Sequence, residues 1–206
     1  MPFPKASWAK TAVFFLAAFF SKILYLVYFG TVRLKVVLPR SGDLGAEPSN
    51  VVYACWHSKT FLLLPYIRYR SIVVLTLLDW KNFFYDKLCR LFGCKTIPTV
   101  NDALSTRRLV RCLKEGKSVL LAVDGPKGPR GVIRPGVRFL AEVTERPIRA
   151  FNVHAERSFR LKARWDHYEI PYPFSKATIT LSEPFWASPD KREQVLSRMT
   201  QALGAY

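Results

Sequence analysis

From Val51 to Leu203, short apolar, β-rich runs alternate with helix-like stretches, and this alternation narrows the folds open to the chain more than any other feature. The runs predict strands at 51–55, 71–77, 118–123, 148–153, 159–165 and 177–181. The stretches between them predict helices at 59–68, 83–92, 103–115, 137–144 and 189–203. The last of these has Ser188 placed as its cap and Pro189 at its first position. Such alternation predicts an α/β domain with a sheet covered by helices. The turn formers of "PRSGDLGAEPSN" (39–50) read as a linker. The 206 residues suffice for one compact domain and are few for two.

In open α/β sheets ligands collect beyond the carboxyl ends of strands. Two predicted strand ends carry unusual chemistry. The first is "VVYACWHSK", where an apolar run passes straight into Trp56 and His57. A neutral imidazole at a strand-to-helix junction is placed to accept a proton, since imidazole ordinarily titrates near 6.5. A histidine that only satisfies a backbone group is the alternative. The second is "SVLLAVDGPKGPRGVIRPG", where the apolar run stops at Asp124. Beyond this acid, prolines stiffen the chain and glycines permit tight bends. Lys127, Arg130 and Arg134 are then held with little entropy left to lose. Several cations beside exposed backbone N–H groups suit a phosphate. The loop is neither a P-loop nor a dinucleotide fingerprint.

The formal net charge of +17 predicts anionic partners. Spread-out cations and an apolar N-terminal block argue against nucleic acid. That block, "TAVFFLAAFFSKILYLVYFGTV" (11–32), is about as long as a bilayer core is thick. It predicts a membrane-associated helix, spanning or interfacial, with Lys22 snorkelling or marking a tilt. Residues 1–38 then form a membrane-associated segment and 39–206 the α/β domain. The cationic remainder suits the anionic cytoplasmic leaflet of the inner membrane. The four cysteines form no C-x-x-C pair and have mostly apolar neighbours, which predicts buried, reduced thiols. No H-x-x-x-H pair exists among the three histidines, so no metal site is expected. His154 and His167 read as structural or solvated.

Trp56-His57, "DGPKGPR" (124–130) and "WDHYEIPYPFS" (165–175) together resemble the lysophospholipid-acyltransferase-like superfamily. They resemble in particular a bacterial branch labelled as a domain of unknown function, with a Trp-His motif and an Asp-Gly-Pro-Arg-Gly-Pro-Arg motif. The resemblance runs from about Val51 to Glu183. It implies a mixed, mostly parallel sheet covered by helices, with an N-terminal membrane-associated helix. The superfamily's first motif sets an aspartate five residues after its histidine, and here that position is Leu62. Asp79 is the nearest substitute and Asp86 a weaker one. The second motif ends in an arginine, where this chain has Pro98; Lys95, Arg107 or Arg108 could compensate. Asp124, Gly125 and Arg130 match the third motif.

The resemblance implies a membrane-associated acyltransferase that moves a fatty acyl group from a thioester donor to a hydroxyl of a lysophospholipid or related lipid. The donor is acyl-CoA or acyl carrier protein, and no bound cofactor is required. His57, Asp79 and Asp124 are the expected catalytic group. Gly125, Lys127, Gly128, Arg130 and Arg134 are the expected phosphate-binding group. "WDHYEIPYPFS" reads first as a packing loop, though Asp166 could touch substrate. The alternative is a non-catalytic member of the same fold that binds anionic lipid.

Overall fold

The computed structural model describes residues 8–39, 50–67, 70–77, 86, 89–99, 102–125, 128–204 and 206. Its main sheet has seven strands in the order β1-β9-β6-β2-β5-β3-β4. These are β1 (Arg33–Val37), β2 (Val52–Cys55), β3 (Ile72–Leu77), β4 (Lys95–Thr99), β5 (Ser118–Ala122), β6 (Ile148–Ala155) and β9 (Lys176–Leu181). β6 and β9 pair antiparallel, and every other pairing in this sheet is parallel. A separate antiparallel hairpin, β7 (Ser158–Leu161) and β8 (Tyr168–Pro171), branches off between β6 and β9. The helices with described bounds are α1 (Trp8–Thr31), α2 (Thr60–Ile67), α3 (Asp102–Lys114), α4 (Gly136–Thr144) and α5 (Arg192–Leu203).

Alternation along each strand divides the core in two. Tyr53 and Cys55 of β2, Leu120 of β5, and Phe151 and Val153 of β6 join one cluster with α1 and α2. Val52, Ala54, Val119, Ile148 and Ala150 point the other way, into a cluster with α3, α4 and α5. Tyr53 and Phe151 stack across the first layer at 5.1 Å between ring centres, a contact worth about 0.5–1.5 kcal/mol beyond simple burial.

The expected mixed, mostly parallel α/β sheet is present, and the strands missed by pattern have physical explanations. β4 contains Pro98, which argues against a strand, yet β4 is an edge strand, where a missing N–H is tolerated. β1 is the opposite edge and carries Arg33 and Lys35, the sort of cations that protect an open edge. The strand expected at 159–165 ends at Leu161, where β7 stops and the chain turns toward β8. Of the helix expected at 83–92, residues 86 and 89–91 are helical and the rest lies outside the described residues.

The N-terminal segment is less separate than expected. β1 lies inside the 1–38 segment, yet it pairs with β9 from Arg33↔Lys176 to Val37↔Thr180. Tyr25 of α1 is buried against Phe61 and Phe92, and its hydroxyl donates to the Phe61 carbonyl at 2.7 Å. Lys22 does not snorkel outward: its ammonium donates to the Leu91 carbonyl. Among the described residues, no helix is long and apolar enough to cross a membrane.

Candidate active site

β2 and β5 are parallel neighbours in register Cys55↔Ala122, so their carboxyl ends open side by side. The chain leaves β2 through Trp56 into a single 3-10 turn, His57–Lys59, and then α2. It leaves β5 through Val123 and Asp124. The His57 backbone N–H donates to Asp124 Oδ1 at 2.9 Å. The imidazole and the glycine-proline loop therefore share one edge of the sheet. Asp124 is fully buried, and burial raises its pKa despite the hydrogen bonds it accepts.

The carboxylate beside the imidazole comes from a third region. His57 Nδ1 lies 2.7 Å from Asp166 Oδ2. Asp166 is on the connection 162–167 at the tip of the β7–β8 hairpin, and it too is fully buried. Arg164 clasps it with two bonds, Nε to Oδ1 and Nη2 to Oδ2, each 2.9 Å. Burial alone would raise the pKa of Asp166. The hydrogen bonds from His57 and Arg164, with their charges, outweigh burial and hold the group well below the usual carboxylate range. An ionised Asp166 fixes Nδ1 of His57 as the donor, which leaves Nε2 as the basic nitrogen. Among the described residues nothing hydrogen-bonds Nε2, and the side chain is 26% exposed.

Trp165 joins these segments. Its ring lies 5.2 Å from that of His57. It also packs on Gly128, where a Cβ would stand 2.7 Å from Trp165 Cε3 and where φ is +71°. Only glycine fits both the backbone and the space there. The indole thus presses the loop after β5 against the hairpin tip. Tyr206 adds a second brace, its hydroxyl donating to the Asp166 carbonyl at 2.9 Å and reaching Asp124 Oδ2 at 3.3 Å.

The expected site residues divide accordingly. His57 and Asp124 meet. Asp79 and Lys127 lie outside the described residues. Asp86 is elsewhere, bonded to Arg90 and Thr96. Leu62 is fully buried in the core, so the position that holds an aspartate in the superfamily is apolar here. Arg130 is half-buried, with Nη1 2.6 Å from His167 Nδ1 and its guanidinium 4.3 Å from the centre of the Tyr206 ring. Arg134 turns back on its own loop, packing over Gly125 and donating to the Gly128 carbonyl. Asp166 was missed as the imidazole's partner, although it stands within "WDHYEIPYPFS"; the signal available was an acid next to a tryptophan at a predicted strand end.

The hairpin is clamped to the turn that carries His57. Lys59 Nζ donates to Glu169 Oε2 at 2.6 Å, with both side chains almost fully buried. Thr60 Oγ1 donates to the Tyr168 hydroxyl at 3.1 Å, and burial pushes the Tyr168 phenol up to about 12. Cys55 is free, buried and two positions before His57, and burial, then the charge of Asp124, raises its pKa. It is a poor nucleophile in that state. The described residues contain no cluster of ligands able to hold a metal ion.

No protein-family model matches the sequence. Uncharacterized protein RP090 of Rickettsia prowazekii (strain Madrid E) is 27% identical over 192 residues, covering 87% of this chain and 87% of that protein. The crystal structure of the 1-acyl-sn-glycerophosphate (LPA) acyltransferase, PlsC, from Thermotoga maritima matches with a TM-score of 0.54 at 16% identity, over 96% of this chain and 83% of that one. The α/β fold of this chain is therefore acyltransferase-like, similar to that of PlsC.

Proposed function

We propose that the chain is a membrane-associated acyltransferase that moves a fatty acyl group from a thioester, acyl-CoA or acyl carrier protein, to a hydroxyl of a lysophospholipid or related lipid. The observation that carries this reading is the Asp166–His57 pair at the carboxyl end of β2, with Nε2 left for substrate. Nε2 takes the proton of the acceptor hydroxyl as its oxygen attacks the thioester carbonyl. The new C–O bond forms, and the tetrahedral intermediate collapses with loss of the C–S bond. The imidazolium returns its proton to the departing thiolate. Asp166 steadies the imidazolium while it exists. No acyl-enzyme is needed, in keeping with the unreactive state of Cys55. Arg130, with Lys127 on the same loop, holds a phosphate of acceptor or donor.

Helix α1 supports the membrane part of the reading. One side packs into the domain through Tyr25. Leu16, Phe19, Phe20, Leu24 and Val27 are exposed on the other side. An apolar outer face on a helix laid against a basic domain suits the plane of a bilayer interface better than a span. On this reading the protein works at the cytoplasmic face of the inner membrane.

The test is acyl transfer by the purified chain from labelled acyl thioester to lysophospholipid in vesicles. His57→Ala lowers turnover by about 1,000-fold or more, within the usual range for a lost general base, and leaves the thermal melt unchanged. Wild-type protein that binds vesicles but transfers nothing would instead mark a non-catalytic lipid-binding protein.

A further inference from the structure

We propose that the turn 172–174, between β8 and β9, is a second membrane contact beside the end of α1, built to enter the interface of an anionic bilayer. The inference rests on the membrane reading above. Phe174 is 75% exposed and Tyr172 is 46% exposed. Phe174 also has φ +61°, a left-handed conformation that a bulky side chain adopts at a cost. The turn is fixed, not slack: the Ser175 N–H and hydroxyl both donate to the Tyr172 carbonyl, and the Tyr172 N–H donates to the Arg157 carbonyl at 3.0 Å. The chain therefore holds a strained phenylalanine outward, and neither hydrophobic cluster takes up its ring. Strain held in place at an exposed position points to a use outside the fold.

The position of the turn says what that use is. The Arg33 N–H donates to the Ser175 carbonyl at 3.0 Å, and the Tyr28 hydroxyl donates to the Pro171 carbonyl. The turn thus abuts the carboxyl end of α1. Arg33, Lys35, Arg157 and Lys176 are exposed around it. The Arg157 guanidinium sits 5.8 Å from the centre of the Tyr172 ring. Glu156 is an acid at this place, and Lys176 pairs with it at 3.7 Å. Aromatic rings ringed by cations match the headgroup level of an anionic leaflet. Two rings are too small an area for a stable protein partner. A helix in the interface leaves the domain free to roll about the helix axis, and a contact off that axis stops the roll. β8, four residues and about 13 Å long, links the tip that carries Asp166 to this turn, so the fixed pose sets how that tip and the imidazole beside it face the lipid surface.

Sedimentation of the full chain with phosphatidylcholine vesicles containing phosphatidylglycerol tests this. Phe174→Asn removes the ring and suits the left-handed backbone, so the thermal melt should hold or rise. Vesicle affinity should fall about tenfold. Phe174→Trp should bind like wild type. Leu196→Ser, an exposed apolar change on α5, should have no effect. Wild-type affinity in Phe174→Asn, beside a loss in Phe20→Ser/Leu24→Ser, would overturn the second contact and leave the membrane reading intact. Failure of the wild type to bind any vesicle would overturn both. A lipid-free dimer that Phe174→Asn dissolves would assign the turn to a second copy and overturn the bilayer as its occupant.

Discussion

The loop after β5 and the tip of the β7–β8 hairpin each bring a fully buried aspartate to the same histidine, and the pKa values of the two acids are shifted in opposite directions. Asp124 accepts from a backbone N–H and a phenol, and burial wins: its pKa is raised. Asp166 accepts from a guanidinium and an imidazole, and its pKa is lowered. Depth alone does not set the direction of a buried carboxylate's pKa shift; the charge of its partners does. Asp124 is accordingly a pin that fixes the backbone of His57. In the proposed mechanism, Asp166 is the charge that steadies the ring once it is protonated.

The difference extends to how each region is held. The loop after β5 leaves a central strand and is braced by its own residues, Arg134 on the Gly128 carbonyl and the Arg134 N–H on the Val123 carbonyl at 2.7 Å. The hairpin stands outside the main sheet, and side chains fasten it. The sharpest way to break the comparison is to cut that fastening. Lys59→Met leaves Glu169 buried, with Arg160 at 3.4 Å as its remaining cation among the described residues. It should cost about 3–5 kcal/mol of stability, and turnover should fall with it as Asp166 drifts from His57. Lys59→Met/Glu169→Leu should recover most of the stability, because no lone charge remains. Chemical denaturation and turnover on the same three proteins check both. A single variant no weaker than the double would mean that the pair does not clamp the hairpin.

The second prediction concerns the acids themselves. Asp166→Asn keeps a hydrogen-bond acceptor for Nδ1 and removes the charge that steadies the imidazolium. Turnover should fall about 100-fold, with a small change in KM. Asp124→Asn keeps an acceptor for the His57 N–H and should cost less than about tenfold. Steady-state kinetics separate the two. Equal losses would abolish the distinction between pin and counter-charge.

Sequence reading reached the two strand ends because both are local. An apolar run meeting His57, and another meeting Asp124, can be seen in a few residues, and adjacency of β2 and β5 completed the pair. It missed the hairpin's contribution because the local signal there, an acid beside a tryptophan, does not say which ring that acid meets. Asp166 is 109 positions from His57, and only the fold of β7–β8 brings them together. A carboxylate sought downstream of His57 on its own helix meets Leu62, which fills the core instead. Lys59 and Glu169 were silent for the same reason, since a buried pair looks like two surface charges until the partners meet. β1 was hidden by a different effect. Its alternation begins directly after the apolar block of α1, so the eye joins it to the helix.

The smallest effect is also the one that most directly reads the two states. A carboxylate with a lowered folded pKa stabilises the fold fully above its unfolded value, near 3.9, and this stability is lost as pH falls through the folded value. That is Asp166. A carboxylate with a raised folded pKa gives stability that is complete below the unfolded value and is lost as pH rises through the folded one. That is Asp124. The cost of Asp166→Asn should therefore be greatest near neutrality and shrink as the pH falls toward and below about 4. Asp124→Asn should do the reverse, standing worst against wild type in acid and gaining on it as the pH rises. Urea denaturation from about pH 3 to pH 7 gives both slopes. Parallel curves for the two variants would show that Asp124 is ionised as readily as Asp166, and partner charge would no longer explain why one hairpin and one loop serve the same ring in different ways.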